Sequence, residues 1–179
     1  MIKAIFYKIL IVLVFTAAVF ATPIHIAHAD LSDVGPTDPV SGFPQWYQDA
    51  AGLAVTISTD PLLGLADPVV PGNVFSQQIG FGAEAFYFAA SATAGPCSVE
   101  NALEAFFANE NPVNGDQVVF ARLRIRCDLT VAGTYTITHP YGTSVFDVAA
   151  PGVNAINSTT AEILFQVIPT VGPVSILVT

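Results

Sequence analysis

The stretch QVVFARLRIRCDL, from Gln117 to Leu129, decides the fold class because its side chains alternate in character. On one face of an extended chain it places Val119, Ala121, Leu123, Ile125 and Cys127. On the other face it places Phe120, Arg122, Arg124 and Arg126. A period of two is typical of a strand with one buried face. The stretch therefore predicts a half-buried strand whose cysteine points inward.

The three arginines of this stretch are the most specific electrostatic feature of the sequence. Because they stand at every second position of a strand, Arg122, Arg124 and Arg126 share one face within about 14 Å. Two interpretations fit this row. The arginines either contact an anionic ligand or an acidic partner, or they pair with carboxylates on adjacent strands of an exposed sheet face. We take all three as candidate ligand or partner contacts.

Further strand patterns lie on both sides of this stretch. They are LAVTIST (53–59), GAEAFYFAASATA (82–94), GTYTITHP (133–140), SVFDVAA (144–150) and AEILFQVIP (161–169). Within the second of them a helix is the alternative, since alanine favours it. Short strands separated by turn signals are typical of a β-sandwich, and Gly133-x-Tyr135 resembles the tyrosine corner of immunoglobulin-like domains. The chain is predicted to be mainly β, an immunoglobulin-like β-sandwich forming one domain over 43–179.

One short helical insertion is predicted in this sandwich, over SVENALEAFFANE, from Ser98 to Glu110. Ser98 is a good N-cap and Glu100 stands in the first turn. The apolar residues follow the spacing of one helix face: Val99, Ala102, Leu103, Phe106 and Phe107. Between Pro61 and Asn73, by contrast, prolines and glycines predict a long loop.

The N-terminus predicts export. Lys3 and Lys8 precede an apolar run, and Ala27-His28-Ala29 is a small-x-small cleavage site, so 1–29 is interpreted as a signal peptide. The alternative is a retained anchor, but the run is shorter than the roughly 20 residues that span a bilayer. Residues 30–42, rich in Pro, Gly, Asp and Ser, are predicted to be an extended leader segment.

Cleavage leaves the chain strongly acidic. The mature part keeps three arginines against all 14 acidic residues, a formal net charge of −11. Such a chain repels phosphate backbones and anionic lipid, so nucleic acid is not expected as a partner. No C-terminal transmembrane segment is visible in the sequence, so no membrane span is expected after cleavage. The remaining localisations are extracellular, cell surface or periplasmic.

Two cysteines, Cys97 and Cys127, remain in the exported part. An even number of cysteines in an oxidising compartment favours one disulfide. The alternative is two unpaired buried thiols. Without a neighbouring histidine the two thiols do not predict a zinc site.

Calcium is the cofactor that the sequence allows, although no cofactor is predicted. The segment ANENPVNGDQ gathers oxygen donors near a turn: Asn109, Glu110, Asn114 and Asp116. The alternative is an ordinary connection between two elements. The segment contains no D-x-D-x-D-G calcium loop.

No catalytic motif stands out in the mature chain. Its single histidine, His139, is expected at a strand end in a structural or solvent-facing role. A carboxylate pair of the kind used by glycoside hydrolases remains open. The residues available for such a pair include Glu84, Glu100, Glu104, Glu110, Asp116 and Asp147.

The aromatic pair Trp46-Tyr47 has two interpretations. It is either a stacking platform for a sugar or peptide or part of the core at the start of the domain. Adjacent strand residues point to opposite faces, so only one of the two enters the core from that side. We expect Trp46 in the core and Tyr47 partly exposed as a candidate ligand contact.

Four blocks together resemble a family of uncharacterised exported bacterial proteins. They are DPVSGFPQWYQDAAGL (38–53), GFGAEAFYFAASA (80–92), NGDQVVFARLRIR (114–126) and AGTYTITHPYGTSVFDV (132–148). The family carries a GFPxWYxDxxGL opening and a GTYTxTHPYG block, often beside immunoglobulin-like modules. The resemblance implies an exported β-rich module without an assigned activity. The chain departs from the family after AINST (155–159), where an apolar segment replaces a Gly- and Asp-rich one.

These observations predict an exported non-enzymatic module with a structural or adhesive role at the cell surface, in contact with protein or glycan. One alternative is a secreted carboxylate-based glycoside hydrolase. Another is a subunit of an extracellular assembly, a homo-oligomer formed through the apolar C-terminal tail AEILFQVIPTVGPVSILVT (161–179).

Overall fold

The structure, a computed structural model, describes residues 31–168 and 172–175. The signal peptide predicted over 1–29 lies outside the described residues, as do 169–171 and 176–179 of the C-terminal tail. Within the described part no helix is long and apolar enough to cross a membrane.

The chain is mainly β, as predicted, and its sheets are antiparallel. The described residues form ten strands: β1 (Leu31–Val34), β2 (Trp46–Asp49), β3 (Ala54–Thr56), β4 (Glu84–Ala94), β5 (Cys97–Phe107), β6 (Gln117–Leu129), β7 (Gly133–His139), β8 (Gly142–Val148), β9 (Gly152–Ile168) and β10 (Gly172–Ser175). The largest sheet has the order β10-β9-β6-β5-β4. Strands β1-β2-β3 form a second sheet, and β7-β8 form a hairpin.

Strand β6 is the centre of the largest sheet and has the bounds of the stretch that predicted it. It pairs with the whole length of β5, from Phe107 opposite Gln117 to Cys97 opposite Cys127. On its other side it pairs with β9. Alternate side chains of β6 point to opposite faces of the sheet. One face contacts the core, and the other carries the three arginines.

A large hydrophobic cluster covers one half of the core face. The second sheet and the segment around Phe81 pack there against β4, β5, β6 and β9. Phe43 and Phe107 meet edge to face, with ring centroids 5.3 Å apart. Leu31 and Val34 of β1 also pack on this cluster. The predicted leader 30–42 therefore contributes a strand to the fold, and the predicted domain start at residue 43 is too late.

A smaller cluster covers the other half of the same core face. Ile125, Cys127 and Leu129 of β6 lie there under the β7-β8 hairpin, which contributes Val148 and other apolar side chains. Cys97 and Cys127 form the predicted disulfide across the β5-β6 pair. The sheet is thus covered on one face by two separate groups of elements, one at each end.

The predicted helix over Ser98–Glu110 is wrong, because this segment is strand β5. Its core face is lined by Val99, Asn101, Leu103, Ala105 and Phe107. A spacing of four residues is even, so pairs such as Val99 and Leu103 satisfy both a helical face and a strand face. Full-length pairing with β4 and β6, and the disulfide at its start, overrode the helical propensity.

The helix of the described chain is α1, Val74–Ile79, immediately after the predicted loop. The side chain of Asn73 caps its start by accepting a hydrogen bond from Ser76 N, and Gly80 ends it with φ of 87°. Only six residues separate these caps, so no helical period was available to reveal it. Within the loop, Pro61–Leu63 form a single 3-10 turn.

Candidate functional site

The arginine face is the face of the five-stranded sheet that carries Arg122, Arg124 and Arg126. Both hydrophobic clusters lie on the opposite face, so no described sheet or helix of either cluster packs on this one. The strand register places Glu100 and Glu104 of β5 on the same face as the arginines. The surface therefore combines cations and carboxylates in neighbouring rows.

Two of the arginines are ion-paired across the β5-β6 ladder. Arg124 lies directly opposite Glu100, and its Nη1 donates to Glu100 Oε2 at 3.1 Å. Arg122 reaches diagonally to Glu104, with Nη1 3.0 Å from Oε2. Pairing with carboxylates of an adjacent strand, one of the two interpretations of the row, thus accounts for Arg122 and Arg124.

The two ion pairs differ in burial. The Glu104 side chain is 2% exposed and that of Glu100 is 46% exposed. Burial raises the pKa of Glu104, and Arg122 opposes this rise without cancelling it. Glu84 and Asp67 add to the rise by repulsion. The Arg122-Glu104 pair is therefore part of the packing of the sheet, whereas Arg124-Glu100 is a surface pair.

Arg126 differs from the other two arginines. It lies opposite Ser98 on β5 and Asn157 on β9, neither of which carries a charge. Among the described residues it forms no ion pair, and its Nη1 is shielded from water without a hydrogen-bond partner there. Among the described residues, therefore, no carboxylate neutralises the Arg126 guanidinium.

An open groove of about 360 Å³ runs along the arginine face beside β4. Its lining includes Phe86, Ser91, Glu100, Asn101, Arg122 and Arg124. These side chains offer hydrogen-bond donors, acceptors, both charges and one aromatic ring. Of the predicted contacts, the structure therefore brings Arg122 and Arg124 together in one concave surface.

Tyr47, the remaining predicted contact, does not belong to this surface. Its side chain is fully buried in the large cluster, while Trp46 is partly exposed, which is the reverse of the prediction. The ring of Tyr47 meets that of Tyr87 edge to face at a centroid distance of 5.0 Å. Burial raises the pKa of Tyr47 far above its usual range. Tyr47 is a core residue and not a ligand contact.

The calcium candidates lie in the loop between β5 and β6. Asn109 donates to Asp116 Oδ2 at 2.7 Å, and Asn114 accepts a hydrogen bond from the Gln117 side chain at 3.1 Å. Glu110 is exposed. These contacts make Asn109 and Asp116 partners of each other within an ordinary turn. Across the described chain, no three His, Cys, Asp or Glu residues stand close enough to hold a metal ion.

Of the carboxylates considered for a glycosidase pair, Glu84 and Glu104 lie near enough on the β4-β5 pair to repel each other, and the others are dispersed. Glu100 and Glu104 stand four residues apart on one strand, a separation of roughly 13 Å, which exceeds the roughly 5–10 Å of such pairs. Asp147 lies on β8, and Glu110 and Asp116 lie in the β5-β6 loop. His139 ends β7, where burial lowers its pKa and Nε2 lies 3.1 Å from Ser144 Oγ.

Comparison of the chain with models of protein families, with curated proteins and with solved structures found no match. The resemblance to exported bacterial proteins therefore stays a prediction.

Proposed function

We propose that the chain is an exported, non-enzymatic binding module that contacts a protein or glycan at the cell surface through its arginine face. The observation that carries this proposal is the groove that Glu100, Arg122 and Arg124 line on a sheet face away from both clusters. A structural or adhesive role is consistent with a groove of this polar character.

The chemistry of the groove favours a polar ligand. Arg124 is held in place by Glu100, so its remaining N–H groups are ordered before a ligand arrives, and binding costs less side-chain entropy. Hydroxyl groups of a sugar can donate to a carboxylate and accept from a guanidinium at the same time. Polar side chains of a protein partner offer the same groups.

The immunoglobulin-like sandwich is part of this proposal. Tyr135 supports it, because its hydroxyl donates to the carbonyl of Val131 at 2.7 Å, four residues upstream, as in a tyrosine corner. The second layer, however, is divided between the β1-β2-β3 sheet and the β7-β8 hairpin. We interpret the fold as a sandwich whose second layer is split.

Assembly through the C-terminal tail is the alternative role. The described part of the tail favours an internal use, since Gly172–Ser175 pair with Phe165–Ile168 of the same chain. Residues beyond Ser175 lie outside the described part and stay available to this hypothesis.

The test is a binding screen with the oxidised mature chain, 30–179, against an array of cell-surface glycans and against intact cells. Glu100→Ala and Arg124→Ala should each weaken any binding found by about tenfold or more, the cost of one well-placed charged contact. Val153→Ala, an exposed position on β9 away from the groove, serves as the matched control and should bind normally.

Two results would count against the proposal. One is binding that Glu100→Ala and Arg124→Ala leave intact while a hairpin variant such as Val145→Ala removes it. The other is hydrolysis of an array glycan that substitution of a carboxylate abolishes.

A further inference from the structure

Strand β4 forms one edge of the five-stranded sheet, and its two halves differ. The first half is closed by the chain itself, since Asp67 N donates to Glu84 O, Phe86 N donates to Leu65 O and Ser58 N donates to Phe86 O, at 2.8–2.9 Å. The second half, 88–94, pairs with β5 on its inner side. On its outer side no described residue pairs with it.

This open half lacks the features that protect sheet edges. Its sequence, FAASATA, contains no charge and no proline, and all seven residues are exposed, with Phe88 at 40%. Natural edges are usually blocked by a lysine, a proline, a bulge or a covering segment. The bulge of β4 lies at Tyr87, before the open half begins. The unpaired N–H and C=O groups of 88–94 are therefore a template for another strand.

We propose that the open half of β4 pairs antiparallel with the same segment of a second copy, centred on Ser91. This register sets Ser91 opposite Ser91, Ala90 opposite Ala92, Ala89 opposite Thr93 and Phe88 opposite Ala94. Every opposed pair is uncharged, and the one large side chain faces a small one. The contact is self-complementary, as a two-fold interface requires.

Charge explains why two copies would meet at this edge and not elsewhere. Two chains with 14 acidic residues each repel one another over most of their surface. Between Glu84 and Glu100 there is no charged residue, and Glu100 is neutralised by Arg124. The β4 edge is thus a place where two acidic copies can approach without opposing carboxylates.

The dimer would extend the ligand surface. Directly opposite residues of an antiparallel pair point to the same face, so the arginine faces of both copies lie on one side of a ten-stranded sheet. Ala89, Ala90 and Ser91 line the groove at this edge, so the two grooves would adjoin along the seam. This inference goes beyond the proposed function and does not depend on it.

A second open edge in the described chain gives the matched control. The middle of β9, around Thr159, is paired with β6 on one side and with no described strand on the other. This stretch carries Glu162, a charge of the kind that protects edges. Lysine placed at Ser91 opposes itself across the proposed two-fold axis, whereas lysine at Thr159 does not.

The first experiment measures the mass of the oxidised mature protein in solution by light scattering over a range of concentrations. We expect a dimer for the native chain and for Thr159→Lys, and a monomer for Ser91→Lys. A native chain that stays monomeric overturns the proposal. So does a dimer lost in Thr159→Lys or on deletion of 172–179, or a filament, which would indicate pairing of unlike edges.

The second experiment tests the register by crosslinking. In the proposed dimer the Cα atoms of Ser91 and its copy are about 5 Å apart, within reach of a disulfide. Those of Thr93 are separated by four residues of strand, roughly 13 Å. Ser91→Cys should therefore form a covalent dimer with the Cys97-Cys127 bond intact, and Thr93→Cys should not. Equal crosslinking of both variants would overturn the register.

Discussion

Arg122 on β6 reaches diagonally across the ladder to Glu104 on β5, and holds a carboxylate that is almost fully buried. Two residues further along β6 on the same face, Arg124 pairs with Glu100. The nitrogen–oxygen distance is nearly the same, 3.1 Å, but this pair is in contact with water. The two pairs share their strands, their sheet face and their chemistry. A comparison of them therefore shows how burial changes the contribution of an ion pair to stability.

Loss of Arg122 should destabilise the chain far more than loss of Arg124. Arg122→Leu leaves the Glu104 carboxylate buried without its partner, for which we expect a loss of roughly 3 kcal/mol in the free energy of unfolding. Arg124→Leu should cost at most about 1 kcal/mol, since its pair is exposed. Urea unfolding of both variants measures the difference. Equal losses would mean that burial does not distinguish the two pairs.

The pH dependence of stability should carry a signature of Glu104. Burial raises its pKa above the ordinary value of 4.5, so between 4.5 and the raised value the folded chain binds more protons than the unfolded chain. Stability from this group is therefore present below pH 4.5 and is lost as the pH rises through the folded pKa. Relative to Glu104→Gln, the native chain should be most favoured in acid. A difference that grows with pH would contradict this assignment.

Removal of the disulfide should weaken the chain without removing the arginine face. Cys97 and Cys127 are separated by 30 residues, and in the chain-entropy account such a loop contributes roughly 3–4 kcal/mol. We expect Cys97→Ala/Cys127→Ala to lose about this much in thermal or urea unfolding. Amide exchange should accelerate first in the β7-β8 hairpin and the adjoining small cluster. Uniform acceleration along the chain would show that the two clusters open together.

Tyr47 distinguishes a packing role from a ligand role. Its hydroxyl is buried and has no hydrogen-bond partner among the described residues, so Tyr47→Phe should be neutral or stabilising. Tyr47→Ala should cost roughly 3–5 kcal/mol through the cavity it leaves. Tyr87→Phe is the control. The Tyr87 hydroxyl donates to the Pro44 carbonyl, so loss of this hydrogen bond should lower the free energy of unfolding. Reduced ligand binding by stable Tyr47→Phe would contradict the core assignment.

The sequence was sufficient for β6, because the alternation from Val119 to Cys127 admits no helical interpretation. The shared face of the arginines and the inward direction of Cys127 followed from the same alternation, whereas the disulfide was predicted from the even number of cysteines. Strand β5 could not be predicted, since Leu103 and Phe107 stand at a spacing that helices and strands share. Strand β5 is fixed by its pairing with β4 and β6, and the local pattern of its own residues does not reveal these two partners. The choice between Trp46 and Tyr47 likewise depends on where Tyr87 lies in space.

The groove was beyond prediction for a related reason. The arginines were visible in the sequence, but Glu100 and Glu104 lie within the predicted helix over Ser98–Glu110, which does not form. Once β5 is a strand, these two glutamates face the arginines across one ladder. The open edge of β4 depends on which half of that strand the segment around Leu65 reaches, and no local pattern specifies this.

Strands β5 and β6 run beneath both clusters, so the number of residues in these strands sets the distance between the two ends of the molecule. Adding two residues to each of the paired strands β4, β5, β6 and β9 between the clusters would separate the ends by about 7 Å and leave every side chain on its own face. Adding one residue to each would move every side chain beyond the insertion to the opposite face of the sheet, which would bury arginines and expose the disulfide. Length in this molecule is therefore adjustable only in steps of two.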